Sequence, residues 1–407
     1  MRVVKLRDLL QSWDAGAWGE PATDADGVSV LRSTNFREGG RLSFENEAVL
    51  AIDDMTLAKK KLAVGDILLE RSGGGPLQPV GRVAGFWGGD VHDKFICGNF
   101  ISRLVPKQEL VDSHYLLYVL LNLHVSGQTE KFQTATTGIR NLQMKQYLDN
   151  ELVVPLELEE QRQIAARLKA QLTEVETARQ AVREQLRETN LLRRCVLQTA
   201  FNDLTDAPQK VLGEWAQTTS GSTPPRGDKR YWSSAEIPWV KTAEVAFAPI
   251  VATEEAISRK ALAECSLTLL PPKTVLIAMY GQGKTRGQSA ILNIEAATNQ
   301  ACFAILPNET WDSEFLHYWL MASYENLRSL SEGRGGNQAN LNGNLLNALE
   351  IPAPDINEQH RMVQRIKSQL AEVDALHTAL TSQQRELDAL PQRLLTQAFD
   401  LQGKCLP

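Results

Sequence analysis

The 407 residues carry 43 Lys and Arg against 49 Asp and Glu, for a net charge of −6, with 43% hydrophobic and 23% charged side chains. These are ordinary values for a globular protein with room for two or three domains, each with its own core. They exclude a membrane-spanning chain, because no apolar run approaches the ~20 residues that a span requires.

The opening MRVVKLRDLLQSW has neither a signal h-region nor a small-residue cleavage site, so a cytoplasmic location is expected. The cysteines at 97, 195, 265, 302 and 405 are widely spaced and form no C-x-x-C with a His pair, which predicts reduced thiols and no zinc site. By region, residues 2–150 hold 17 basic and 18 acidic side chains, 151–205 hold 8 and 9, 206–350 hold 12 and 15, and 351–407 hold 6 and 7. No region is basic overall. Contact with a nucleic acid would therefore rest on local clusters, or on a partner that neutralises phosphates.

Residues 1–150 open with the amphipathic segment Val4–Leu10 and continue into an apolar piece, Val28–Leu31, that ends in Arg32, Ser33, Thr34 and Asn35. Strand-like stretches follow at Val64–Glu70, which runs into Arg71, Ser72 and three glycines, and at Phe100–Pro106. A helix is expected from Ser113, with that serine as N-cap, and a polar loop from Thr136 to Leu142.

From Glu157 to Phe201 the small and apolar residues Ala165, Leu168, Leu172, Val175, Val182, Leu186, Val196 and Ala200 fall mostly three or four apart between Glu, Gln and Arg. This is the seam of a coiled coil, about 60 Å long at ~1.5 Å per residue. Pro155 and acidic Glu157, Glu159 and Glu160 mark its start.

Residues 206–350 then repeat the first domain. Lys210–Trp215 answers Val4–Leu10, Ile237–Glu244 answers Val28–Asn35, and Thr274–Tyr280 with Gly281, Gln282, Gly283 and Lys284 answers the strand and glycines after Val64. Cys302–Pro307, a helix from Ser313 and a polar loop from Gly335 to Leu341 complete the copy.

A second long helix, Asp355 to Phe399, aligns with the first without gaps at an offset of 198 residues. Glu160-Gln161 matches Glu358-Gln359, Arg167 matches Arg365, and Ala200-Phe201 matches Ala398-Phe399. Pro391 is expected to kink or break this copy near its end. The organisation read from the residues is α/β, mixed with α+β: domain 1–150, helix 151–205, domain 206–350, helix 351–407.

Two divergent globular units, each ended by a proline, a Glu-Gln pair, a long helix and an Ala-Phe terminus, resemble the specificity subunit of a type I restriction-modification system. VVPLELEEQRQIAARL and IPAPDINEQHRMVQRI carry most of that resemblance, with IPWVKTAEV and VLIAMYGQGKT adding to it, and it covers essentially the whole chain in order. The resemblance implies two target-recognition domains on double-stranded DNA and long helices packed antiparallel as a spacer. It also implies recruitment of two modification (methyltransferase) subunits and two restriction (motor-nuclease) subunits. S-adenosylmethionine, ATP and Mg would belong to those partners, with no cofactor and no catalytic residue in this chain.

Candidate DNA contacts in the first copy are Arg32, Ser33, Thr34, Asn35, Arg37 and Arg71, with Arg140 and Asn141 in the late loop. In the second they are Thr223, Arg226, Lys229, Arg230, Tyr231 and Lys241, then Gln282, Lys284 and Arg286, then Arg334, Asn337 and Gln338. Arg and Lys suit phosphates and guanine, and Asn and Gln suit adenine. The repeated helix residues Glu160, Gln161, Arg167 and Phe201, with Glu358, Gln359, Arg365 and Phe399, are the candidates for contact with partner subunits. Gly281 to Thr285 resembles the end of a P-loop, but the earlier glycine of that motif is replaced by Ala278 and no helix pattern follows. The six histidines are scattered, and neither a nucleophile elbow nor a nuclease signature is present. Two rival readings remain: a coiled-coil scaffold with no DNA role, and an ATPase using Lys284.

Overall fold

A computed structural model describes residues 1–22, 27–75, 78–88, 94–136, 138–204, 206–281, 283–330 and 340–403. The chain divides into two compact units, Met1–Arg183 with Thr381–Pro407, and Glu184–Leu380, so each unit contains one domain and half of each long helix.

In the first unit an antiparallel sheet runs in the order Val83–Gly85, Ile67–Glu70, Ile101–Pro106, Leu10–Ala15. A second sheet places Val28–Leu31 parallel to Phe95–Cys97 and antiparallel to Ala48–Ala51. The second unit repeats both. Ser289–Ile291, Val275–Ala278, Cys302–Ile305 and Thr218–Ser220 form the antiparallel sheet in the same order. Ile237–Val240 runs parallel to Ala297–Thr298 and antiparallel to Glu255–Ile257. Arg2–Lys5 pairs with Glu151–Val154, and Gln209–Val211 pairs with Glu350–Pro352, so each domain returns to its starting edge just before its long helix. The central strands are apolar and fully buried, which is why they read as continuous hydrophobic runs.

The domain helices span Ser113–Val125 and Ser313–Ala322. Their N-caps are Asp112 and Asp312, not the serines expected from the sequence. Asp112 accepts from the Tyr115 amide, and Asp312 from those of Glu314 and Phe315. Ser113 instead accepts from Gln108, and Ser313 donates to the Lys273 carbonyl. A carboxylate one residue earlier completes the orphan amides better than a neutral hydroxyl. The expected loop at Thr136–Leu142 belongs to a hairpin of Gln133–Thr136 with Ile139–Leu142.

The long helices run from Leu158 to Asn202 and from Ile356 to Gly403. Within the first unit Ala165 and Leu168 pack with Leu395 and Ala398 in the domain core. Within the second, Leu197 and Ala200 pack with Ile366 and Leu370. In each unit the contacts run antiparallel. Pro391 does not break its helix. It has no N–H for the Leu387 carbonyl, and Arg179 of the first long helix supplies the missing donor: Nε lies 3.2 Å from Leu387 O and Nη2 3.0 Å from Asp388 O. Arg179 is buried, and it also pairs with Asp388 at 3.1 Å and with Glu38. At the equivalent seam of the second unit, Thr189 Oγ1 meets His377 Nδ1 at 3.0 Å.

Candidate nucleic-acid interface

Each long helix is joined to its domain by one buried glutamine. Gln161 and Gln359 are both 0% exposed. The Gln161 carbonyl accepts from the Asp112 amide at 2.9 Å, while its NH2 donates to Pro155 O at 2.9 Å and Leu110 O at 3.3 Å. Gln359 accepts from the Asp312 amide at 2.8 Å and donates to Pro354 O at 2.9 Å and Thr310 O at 2.8 Å. The two glutamines are therefore internal latches, a correction to their expected place on a partner surface, because a fully buried amide has no face left to offer.

Phe201 and Phe399 are half-buried and packed inward. Phe201 meets Phe315 edge-on at 5.4 Å, and Phe399 meets Tyr115 at 5.8 Å, so each Ala-Phe terminus is packed onto a domain helix. Glu160 and Arg167 are exposed. Glu358 pairs with Arg361, and Arg365 lies 3.8 Å from Asp203.

In the first domain the turn after Val28–Leu31 is held by Asn35, whose Oδ1 accepts from the Arg32 amide at 2.8 Å and whose Nδ2 donates to Ser43 O and Glu45 O. Asn35 is 1% exposed, so it builds the turn and does not read bases, a correction to its assignment. Arg32 reaches Asn46 O at 2.6 Å, and exposed Arg37 reaches Thr34 O at 2.8 Å. Arg71 is half-buried, its amide donating to Phe100 O at 2.9 Å. Arg32, Arg37 and Arg71 have no carboxylate partner among the described residues. Arg140 lies 3.6 Å from Glu130, and Asn141 accepts from Ser72 at 2.5 Å.

Arg32, Ser33 and Thr34 line a cleft of about 370 Å³ with Trp18, Asn99 and Phe100. Sequence reasoning missed those last three. The sequence reads Phe100 as the start of a strand, and Trp18 and Asn99 sit in segments without periodicity. Their sequence signal is position, one or two residues after Gly16 and Gly98, where a glycine permits close backbone crossing.

The second domain presents its cations differently. Arg226 pairs with Glu255 and stacks 4.0 Å from Trp232, Lys241 bonds Glu254 at 2.6 Å and Glu255 at 3.2 Å, and Arg230 pairs with Asp228. Arg226 holds the Glu255 carboxyl below its ordinary range, and Arg230 brings Asp228 down to about 2. Tyr231 donates to Glu264 at 3.0 Å, and Thr223 donates to Gln300. Lys229 and Lys284 are exposed. Arg286 is 9% exposed, so it is a buried residue and not the presented phosphate contact expected. Gln282, Arg334, Asn337 and Gln338 lie outside the described residues.

The P-loop-like segment leads from strand Val275–Ala278 into strand Ser289–Ile291, with Gly287 N bonded to Ala278 O. No helix follows to present its amides to a phosphate, so the motif is a hairpin connection. Among the described residues no cluster could hold a metal, the four cysteines are free, and no helix is long and apolar enough to cross a membrane.

Residues 209–385 match the family described as type I restriction modification DNA specificity domain. The chain is 25% identical over 156 residues to the specificity subunit of the type I restriction enzyme EcoR124I/EcoR124II of Escherichia coli. It is 31% identical over 158 residues to that of the type I restriction enzyme MjaIX of Methanocaldococcus jannaschii. Each match takes in 38% of this chain, and they span only 39% and 35% of those relatives. In fold it is similar over 98% of its length to a chain solved in work on complex assembly and conformational transition of the type I R-M system (TM-score 0.73, 19% identity, 97% of that chain). It is also similar to the HsdS subunit from Thermoanaerobacter tengcongensis (TM-score 0.63, 19% identity, 98% of this chain and 96% of that one).

Proposed function

We propose that this chain, which is similar to type I restriction-modification specificity subunits, is the non-catalytic DNA-recognition subunit of such a complex. Each domain reads one half of a split, asymmetric site on double-stranded DNA, and the long helices set the gap between the halves. Two modification subunits and two restriction subunits, which hold S-adenosylmethionine, ATP and Mg, carry out methyl transfer and cutting in the cytoplasm. Their docking surfaces include exposed Glu160 and Arg167 and the matching Glu358 and Arg365.

One observation carries this reading. The strand order, the glutamine latch and the aromatic terminus recur in both units, while the exposed positions on that repeated frame differ. Two equivalent holders with unlike faces are what an asymmetric bipartite site requires. The rival reading, a scaffold without DNA, draws on the carboxylates that neutralise Arg226, Arg230 and Lys241.

The test is a map of methylated adenines in the native host with the gene intact and deleted, repeated with co-expressed modification subunits. A split motif that vanishes on deletion is the expected result. If no motif depends on the gene even with those subunits supplied, the scaffold reading replaces this one.

A further inference from the structure

We infer that both domains read bases from one shared place in the fold, through Trp18, Arg32, Asn99 and Phe100 in the first and Thr223, Lys241 and Gln300 in the second. The inference rests on the proposed function and deepens it by naming the reading set.

The equivalence is given by main-chain hydrogen bonds. Gly98 N donates to Leu31 O at 2.8 Å, as Asn299 N does to Val240 O at 3.0 Å. Ile101 N donates to Gly98 O, as Cys302 N does to Asn299 O. Asn99 and Phe100 therefore occupy the places of Gln300 and Ala301. Ala17 N donates to Cys97 O at 2.9 Å, as Ser222 N does to Thr298 O at 3.0 Å, which puts Trp18 in the place of Thr223. Each crossing is so close that a Cβ on Gly16 would stand 2.1 Å from Cys97 O, and one on Gly221 1.8 Å from Thr298 O. Arg32 and Lys241 open equivalent turns, each with its amide bonded to the side chain three residues on, Asn35 or Glu244, at 2.8 and 2.7 Å. The backbone is thus the same in both domains and fixed on both sides, and only the side chains differ.

Those side chains are suited to base edges. Trp18 is 52% and Phe100 56% exposed, which is unusual for rings of that size, and they border the cleft that Arg32 and Asn99 share. Arg32 has no carboxylate partner among the described residues, and its Nε is buried without a hydrogen-bond acceptor. The amide of Arg71, another cation without a carboxylate, holds the Phe100 carbonyl. Uncompensated cations around exposed rings favour a polyanion that also has an apolar face, which is the major groove of a DNA duplex. There an Asn amide is bidentate to adenine, Arg to guanine, and an aromatic ring meets the thymine methyl. In the second domain Thr223 holds the Gln300 amide, which also suits adenine, while the small Ala301 leaves room where Phe100 projects.

The test uses the full chain with co-expressed modification subunits. Asn99→Gln and Phe100→Ala are exposed exchanges, expected to change or relax one half of the methylated motif and to weaken that site about 10- to 100-fold, leaving the other half intact. Gln300→Ala should do the same to the other half only. If each variant leaves both halves unchanged, or if either variant alters both, the inference fails while the proposed function stands. If the unaltered chain yields no gene-dependent split motif, the proposed function fails and this inference with it. Purified complex gives a second readout. Its tryptophan emission should shift on adding the cognate duplex, and the shift should be smaller in Trp18→Phe. A shift of undiminished size in that variant removes Trp18 from the interface.

Discussion

At Gln161 and at Gln359 the same three hydrogen bonds join a long helix to the same corner of its domain, with distances that agree within half an ångström. A few turns along, the two seams part company. The first carries Arg179 against the Leu387 carbonyl that Pro391 cannot serve, and the second carries His377 against Thr189, with Arg193 standing where Pro391 stands in its copy. A buried polar atom must be satisfied, so the latch admits one solution and both copies keep it. A seam position can be satisfied in several ways. Arginine with proline and histidine with threonine are two of them.

The sharpest break of the shared part is Gln161→Leu beside Gln359→Leu. Each strands two carbonyls and the amide of a capping aspartate, so each should cost its own unit roughly 2–4 kcal/mol in urea unfolding. Faster hydrogen exchange is expected at the Asp112 amide in one variant and at the Asp312 amide in the other. Unequal losses would show that the matching geometry hides unequal energetics.

The second comparison concerns His317, which stands where the first copy has Leu117. It is buried against Ser289 Oγ at 3.0 Å, and burial pushes its pKa down to about 4. A histidine whose folded pKa lies below its unfolded value of about 6.5 takes up its proton more readily when unfolded. Its contribution is therefore full above pH 6.5 and falls as the pH drops toward 4, by roughly 3 kcal/mol across the window. His317→Leu should flatten that acid limb in the second unit. A limb that stays as steep would trace the loss to other groups.

The smallest effect is expected at the seam. Arg179→Met should cost the first unit about 1–3 kcal/mol, and less in a Pro391→Ala background, where an N–H returned at position 391 satisfies the Leu387 carbonyl. Equal losses in the two backgrounds would mean that Arg179 acts through Glu38 and Asp388 and not through the proline gap.

Much of this architecture was legible in the residues because it is periodic or repeated. The three-and-four spacing from Ala165 to Ala200 determined the first long helix to within a residue at each end, and the 198-residue offset determined its twin. Apolar runs such as Ile67–Glu70 and Val275–Ala278 determined the buried strands. What the sequence could not determine is which polar groups face inward, since Gln161, Asn35 and Arg286 look like any surface residue until the chain around them closes. The tertiary structure alone brings Trp18 and Arg32 to Asn99 and Phe100 across 67 to 82 residues of chain, because strand pairing and not sequence spacing sets that distance. It alone places Arg179 at the carbonyl that Pro391 leaves without a donor, for a hydrogen bond between two helices has no signature in either one.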